Sequence, residues 1–158
     1  MFGYYRVAAA VNKTVVGNPA KNAEEILTLI NEAHAKEVSV VVFPELTLTA
    51  YTASDLLLNQ TLLASQNESL ANILNNIKEI NTIAIIGIAL LEADRLYNCA
   101  AVVQKGNILG IVPKSYLPNK KEFYEKRQFT SGRDIVRTTT ELLGEEVPFG
   151  VDLLFTDK

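Results

Sequence analysis

The chain has 158 residues, 48% of them hydrophobic, with a formal net charge of −3 at pH 7, one cysteine and one histidine. That length supplies the core of one domain or part of one, and the acidic balance gives no electrostatic case for nucleic acid or an anionic membrane. A lone cysteine forms no internal disulfide, and with a lone histidine it gives no basis for a zinc or redox cluster.

No apolar run approaches the ~20 residues that span a bilayer. The start, Met1 to Arg6, lacks the basic and apolar regions of a signal peptide. Location in a reducing cytoplasm is the expectation.

In chain order, Arg6 to Val11 reads as a short strand. Asn18-Pro19 forms a helix start, cap followed by first helical residue, and residues 19 to 36 carry Ile26, Leu29, Ile30 and Ala33 at helical spacing. Val38 to Phe43 is nearly all β-branched, which predicts a strand buried on both faces. A β-α-β opening of this kind points to an α/β layered fold. Leu46 to Asn59 reads as a loop with a short helix over Ser54 to Leu58. Residues 60 to 80 place Leu62, Leu63, Leu70, Ile73, Leu74 and Ile77 on one face of a second helix.

Ile83 to Leu91 is a further buried strand. Arg95 to Gln104 and Asn107 to Val112 follow as a hairpin, with Gly106-Asn107 as its tight turn. Lys114 to Arg133 is a long polar and aromatic loop with room for one helical turn, and loops of that length in compact domains are usually functional or disordered. Ile135 to Thr140 and Val147 to Phe155 read as two last strands, with no closing helix after them.

Two strand ends carry the residues best suited to chemistry. Val40 to Phe43 leads through Pro44 to Glu45, and Ile108 to Val112 leads through Pro113 to Lys114. Open α/β sheets place their sites at such carboxyl ends. Glu45 reads equally as a general base or as a carboxylate capping the next segment. Lys114 reads as the cation for a developing oxyanion, or as a solvated lysine opening a loop. Tyr51, Tyr116, Phe123, Tyr124 and Glu125 lie in the loops after these two residues, where they wall a small-molecule pocket or anchor the loops on the sheet.

Cys99, mid-strand among apolar neighbours, reads as an inert core residue. His34 falls in the last turn of the first helix and complements its dipole. Asp55 is a candidate cap for the short helix. The glycines form no phosphate-cradling motif, so nucleotide binding by this chain is unsupported.

Phe43 to Tyr51, with Gly106 to Gly110 leading into Lys114 to Asn119, resembles the carbon–nitrogen hydrolase (nitrilase) superfamily. Within it, Glu122 to Phe129 and Leu96 to Ala100 are most similar to the glutaminase domain of glutamine-dependent NAD synthetases, and the similarity runs over essentially the whole chain. The resemblance implies an α/β fold that is part of a four-layer α-β-β-α sandwich, with its C-terminal portion missing and no second domain in residues 1 to 158. It further implies a Glu-Lys-Cys mechanism, with Glu45 as base and Lys114 as oxyanion stabiliser. A thiolate attacks the glutamine side-chain amide, and a thioester is then hydrolysed.

Tyr51, Lys120, Phe123 and Glu125 match positions that shape the glutamine pocket, Glu125 also supporting the base and the lysine. Lys120 stands where this branch usually carries a tyrosine, and Ala50 where it usually carries a glycine. The family's nucleophile follows a later strand that this chain does not reach, so residues 1 to 158 alone are expected to be inactive. The resemblance implies no cofactor and no metal in this domain. ATP and Mg²⁺ are expected only in a separate synthetase domain, joined in cis or acting in trans, which takes the ammonia. Homo-oligomerisation is a further expectation of the resemblance. The alternatives are a stand-alone amidase of the superfamily and a non-catalytic assembly module on the same fold.

Overall fold

A computed structural model describes residues 3–156. Its framework is one five-stranded sheet in the order β1-β2-β3-β4-β5, with strands β1 (Val7–Ala9), β2 (Val40–Val42), β3 (Ile83–Glu92), β4 (Arg95–Gln104) and β5 (Asn107–Pro113). The first three strands run parallel, joined by helices α1 (Pro19–Ala35) and α2 (Gln60–Asn76), and the last two are antiparallel. A separate hairpin, β6 (Thr139–Leu142) and β7 (Glu145–Pro148), follows, and Phe149 then bridges in parallel to Ile111 at the β5 edge.

Local chemistry accounts for the helix starts. Asn18 accepts from Lys21 N with Pro19 as first helical residue, and Asn59 accepts from Thr61 N and Leu62 N at the head of α2. Each side chain satisfies donors that a helix start leaves unpaired. Ala23, Ile26 and Ile30 of α1, Leu70 and Ile73 of α2, and Ile77 just after it then bury against Val41, Ala84, Ile86 and Ile88 of the sheet. β3 runs on past the end of β2, and there α2 pairs with its open edge. Gln66 accepts from Ala89 N and donates to Ala89 O, both at 2.8 Å, as a neighbouring strand would.

Three turns differ from or extend the sequence expectations. The β4–β5 turn centres on Lys105 (φ 50°) and Gly106 (φ 77°), one residue earlier than Gly106-Asn107. Ala93-Asp94 and Leu143-Gly144 repeat the same double positive-φ geometry, which matches the twist of antiparallel strands. The Leu143-Gly144 turn also corrects the last two strands, fixing a short register around itself rather than over Ile135 to Thr140 and Val147 to Phe155. The second helix stops at Asn76, where Ile77 caps it, and the long loop after Lys114 contains two three-residue turns, Glu125–Arg127 and Gly132–Asp134.

The strand over Val38 to Phe43 is shorter than expected and is not buried on both faces. Val41 points into the helix-covered core while Val42 is exposed. In register with it, Val7 and Ala9 are exposed, and Val40, Ile83 and Ile85 are half-buried. The chain thus provides one helix layer and one sheet layer. On the second face, Leu46, Ala53, Leu57 and Phe129 pack in a smaller buried cluster with Ala89 and Leu96, and Leu153 and Phe155 pack over Gly110.

Candidate active site

Glu45 stands on a short crossover. Phe43 N still donates to Ile85 O, after which Pro44-Glu45-Leu46 passes over β3 at Gly87. A Cβ on Gly87 would lie 2.3 Å from Pro44 O and 2.4 Å from Leu46 N, so only glycine permits this path. Leu46 turns at φ 50° and its carbonyl accepts from Thr49 N and Ala50 N. Asn22 of α1 donates to Leu48 O at 2.8 Å and tethers the loop from behind. The crossover therefore rests on the sheet face opposite the helices, where Leu46 is buried and the Glu45 side chain is 50% exposed.

Lys114 reaches the same face through a bulge. Val102 pairs with Gly110 and Val103 with Ile108, which leaves Leu109 as an extra residue in β5. The insertion reverses the side-chain alternation beyond it, a shift of one residue being enough to exchange faces. Ile111 consequently faces the helices opposite Ala101, and Lys114, whose N–H donates to Asn98 O, faces Glu45. Without the bulge, β5 would aim Lys114 into the core.

The side chains converge on the lysine. Lys114 Nζ donates to Glu45 Oε2 at 2.8 Å and to Glu125 Oε1 at 2.9 Å, bridging two carboxylates. Tyr51 OH donates to the same Glu125 oxygen at 2.6 Å, and Asn98 Nδ2 donates to Glu45 Oε2 at 2.7 Å. Glu125 is almost wholly enclosed, with 4% of its side chain exposed, and its Oε2 has no partner among the described residues. A buried carboxylate needs a cation beside it, and Lys114 is that cation. Burial pulls the Lys114 pKa down, but its hydrogen bonds to Glu45 and Glu125 and their charges together outweigh it and raise the pKa overall. Burial, then the bond and charge of Glu125, pushes the Tyr51 hydroxyl far up. At neutral pH the lysine is charged and the tyrosine is a donor.

A cavity of about 540 Å³ adjoins this cluster, lined by Tyr51, Phe123 and Glu125 together with Leu46, Asp55 and Arg127. Its two walls are the 3-10 segment Tyr51–Leu58 and the turn Glu125–Arg127. Asp55 clamps these walls together rather than capping a helix. It accepts from Arg127 Nε and Nη2 and from Gln128 Nε2, which together hold its carboxyl below the usual range, Gln128 having the largest share.

Of the residues singled out from sequence, the structure brings Glu45, Lys114, Tyr51 and Glu125 into one hydrogen-bonded cluster and sets Phe123 on the adjoining wall. Lys120 is exposed, lies outside the cavity lining, and makes no side-chain hydrogen bond among the described residues. Cys99 is buried opposite Ile88 on the helix-facing side, and burial pushes its thiol up. It faces away from Glu45. Among the described residues no cluster of three metal-ligating side chains occurs. Among those residues, no helix is long and apolar enough to cross a membrane. Asn98, Gly87 and the Leu109 bulge escaped the sequence reading. The one local signal was an asparagine within an apolar strand.

The profile of the carbon–nitrogen hydrolase family matches residues 6–150. The glutamine-dependent NAD(+) synthetase of Mycobacterium tuberculosis is 40% identical over 153 residues, covering 97% of this chain and 22% of that protein. The Aquifex aeolicus synthetase is 34% identical over 151 residues, covering 94% of this chain and 26% of the relative. A crystal structure of a glutamine-dependent NAD(+) synthetase from Cytophaga hutchinsonii superposes with a TM-score of 0.88 at 28% identity, covering 98% of this chain and 26% of that one. The chain thus spans about a quarter of the length of these relatives.

Proposed function

Because this chain belongs to the carbon–nitrogen hydrolase family, we propose that residues 1–158 are the incomplete glutaminase part of a glutamine-dependent NAD synthetase, with no second domain among them. The observation that carries this reading is the single ammonium of Lys114 held between Glu45 and the buried Glu125 beside an aromatic-walled cavity. Glu45 and Lys114 are its catalytic residues. Tyr51, Phe123 and Glu125 border the glutamine site, and Lys120 lies outside the lining of that cavity.

The nucleophile is a thiol from outside residues 1–158, since Cys99 is sealed on the opposite face of the sheet. Glu45 takes the proton from that thiol. The thiolate attacks the carboxamide carbon of glutamine, and the carbonyl oxygen becomes an oxyanion beside the fixed charge of Lys114. As the tetrahedral species collapses, the C–N bond breaks and the amine leaves as ammonia with the proton from Glu45. Water, deprotonated by Glu45, then cleaves the thioester to glutamate and free thiol. Lys114 stays charged throughout because both neighbouring carboxylates favour its protonated form.

The ammonia passes to a synthetase domain in cis or in trans, where ATP and Mg²⁺ belong. Residues 1–158 alone are inactive for want of the thiol, whose removal costs on the order of 10⁶ in kcat in comparable covalent hydrolases.

The test is ammonia release from glutamine by the complete protein. Lys114→Met should lower kcat by about 10²–10³, the usual loss for one oxyanion donor. Glu45→Gln should abolish turnover. A complete protein that releases no ammonia from glutamine overturns the proposal.

A further inference from the structure

We infer that Asn98 is a positioning residue that locks the Glu45 carboxylate against the Lys114 ammonium and leaves Glu45 Oε1 as the oxygen free to carry a proton. The kinetic part of this inference rests on the hydrolytic reading above; the contact itself does not.

Asn98 touches both catalytic partners at once. Its side-chain Nδ2 donates to Glu45 Oε2 at 2.7 Å, and its backbone carbonyl accepts from Lys114 N at 2.8 Å. It is buried in the middle of β4, paired with Ala89 across β3, so its side chain starts from a rigid strand. Glu45 has the opposite situation, half exposed on a crossover loop. Lys114 alone cannot orient it, because an ammonium on a flexible four-carbon stem offers three rotatable donors.

The asparagine amide supplies a second, directional donor to the same oxygen. Glu45 Oε2 then holds two donors, while Oε1 has no partner among the described residues. The carboxylate is polarised into an anchored oxygen and a working one. The amide orientation is chemically fixed, since a carboxylate oxygen accepts from NH₂ and not from a carbonyl. A buried asparagine that merely satisfied itself in the core would show no dependence on Glu45.

The test has two arms. In ¹⁵N-labelled full chain, the side-chain NH₂ signal of Asn98, assigned by triple-resonance spectra, is expected to exchange slowly with solvent and to move on Glu45→Ala. An Asn98 signal unchanged by Glu45→Ala overturns the inference, and this arm needs neither activity nor an Asn98 variant that folds. In the complete enzyme, Asn98→Ala should lower kcat about 10²-fold, the scale of a catalytic group displaced by about 1 Å, with KM little changed.

Asn98→Asp should be worse above neutrality, where two carboxylates face each other. Its deficit relative to the unsubstituted enzyme should narrow as pH falls and the introduced carboxyl becomes a donor. A deficit equal at every pH, or an Asn98→Ala enzyme of normal kcat, overturns the positioning role. If the unsubstituted enzyme releases no ammonia, the hydrolytic reading alone falls, and the NMR arm then decides for or against the contact.

Discussion

Gly87→Ala tests how the Glu45 crossover is held. The added methyl would lie 2.3 Å from Pro44 O, 2.4 Å from Leu46 N and 2.8 Å from Glu45 C, where real Cβ contacts essentially never fall below 3.0 Å. All three atoms are backbone, so no rotamer change relieves the clash, and the crossover must lift by about 0.7 Å or more. Overpacking of this kind costs about 1–3 kcal/mol. A displacement on the order of 1 Å at a catalytic group costs about 10²-fold in rate.

Urea denaturation of the full chain reads the first effect and ammonia release by the complete protein reads the second. Gly144→Ala is the control. Unlike Gly87, Gly144 sits at positive φ (+81°), and a Cβ there meets nothing within 4 Å. The control should lose only about 1 kcal/mol of backbone strain and no activity. A Gly87→Ala protein with an unchanged denaturation midpoint and normal turnover would refute the argument that glycine is required for the path of Glu45.

Ala50 sits at φ 78°, ψ 138°, a region that costs a non-glycine residue about 1–3 kcal/mol, so Ala50→Gly should raise the urea midpoint, and an unchanged or lower midpoint would count against strain there. Tyr51 and Lys114 both have folded pKa values above their ordinary 10.0 and 10.5. The stability they contribute is therefore complete below about pH 10 and lost as pH rises through the folded values. Thermal midpoints should hold through neutrality and fall above about pH 10, less steeply in Tyr51→Phe; Tyr51 ionising with the exposed tyrosines in an absorbance titration would contradict this. The Cys99 thiol, pushed up by burial, should resist a thiol reagent at pH 8 until urea unfolds the chain, and rapid modification of the folded protein would contradict its placement in the core.

What the sequence disclosed divides along a physical line. Signals that act within one element were legible: the Asn18-Pro19 start of α1, the helical spacing of Leu70, Ile73 and Ile77, and the two polar residues waiting at strand ends. Signals that depend on how elements register against one another were not. The Leu109 bulge decides which face Lys114 occupies, yet nothing in Ile108-Leu109-Gly110 marks it as an insertion without β4 beside it.

Gly87 looks like any strand glycine until Pro44–Leu46 crosses it. Asn98 is an odd polar residue among apolar ones until Glu45 arrives over 50 positions away in sequence. The two last strands were misplaced for a related reason. β-Branched residues over 135–140 and an apolar run over 147–155 outweigh the Leu143-Gly144 turn, whose positive φ angles set the actual register. The aromatic loops were seen as neighbours, but the Asp55 bridge to Arg127 that makes them two walls of one cavity spans 72 residues.

The most direct test of the account compares initial rates of ammonia release from glutamine and from simple primary amides by the complete protein, with and without Lys114→Met. The account predicts turnover that strongly prefers glutamine and falls about 10²–10³-fold in the variant. Turnover of simple amides as fast as glutamine, or a rate indifferent to Lys114, would contradict it.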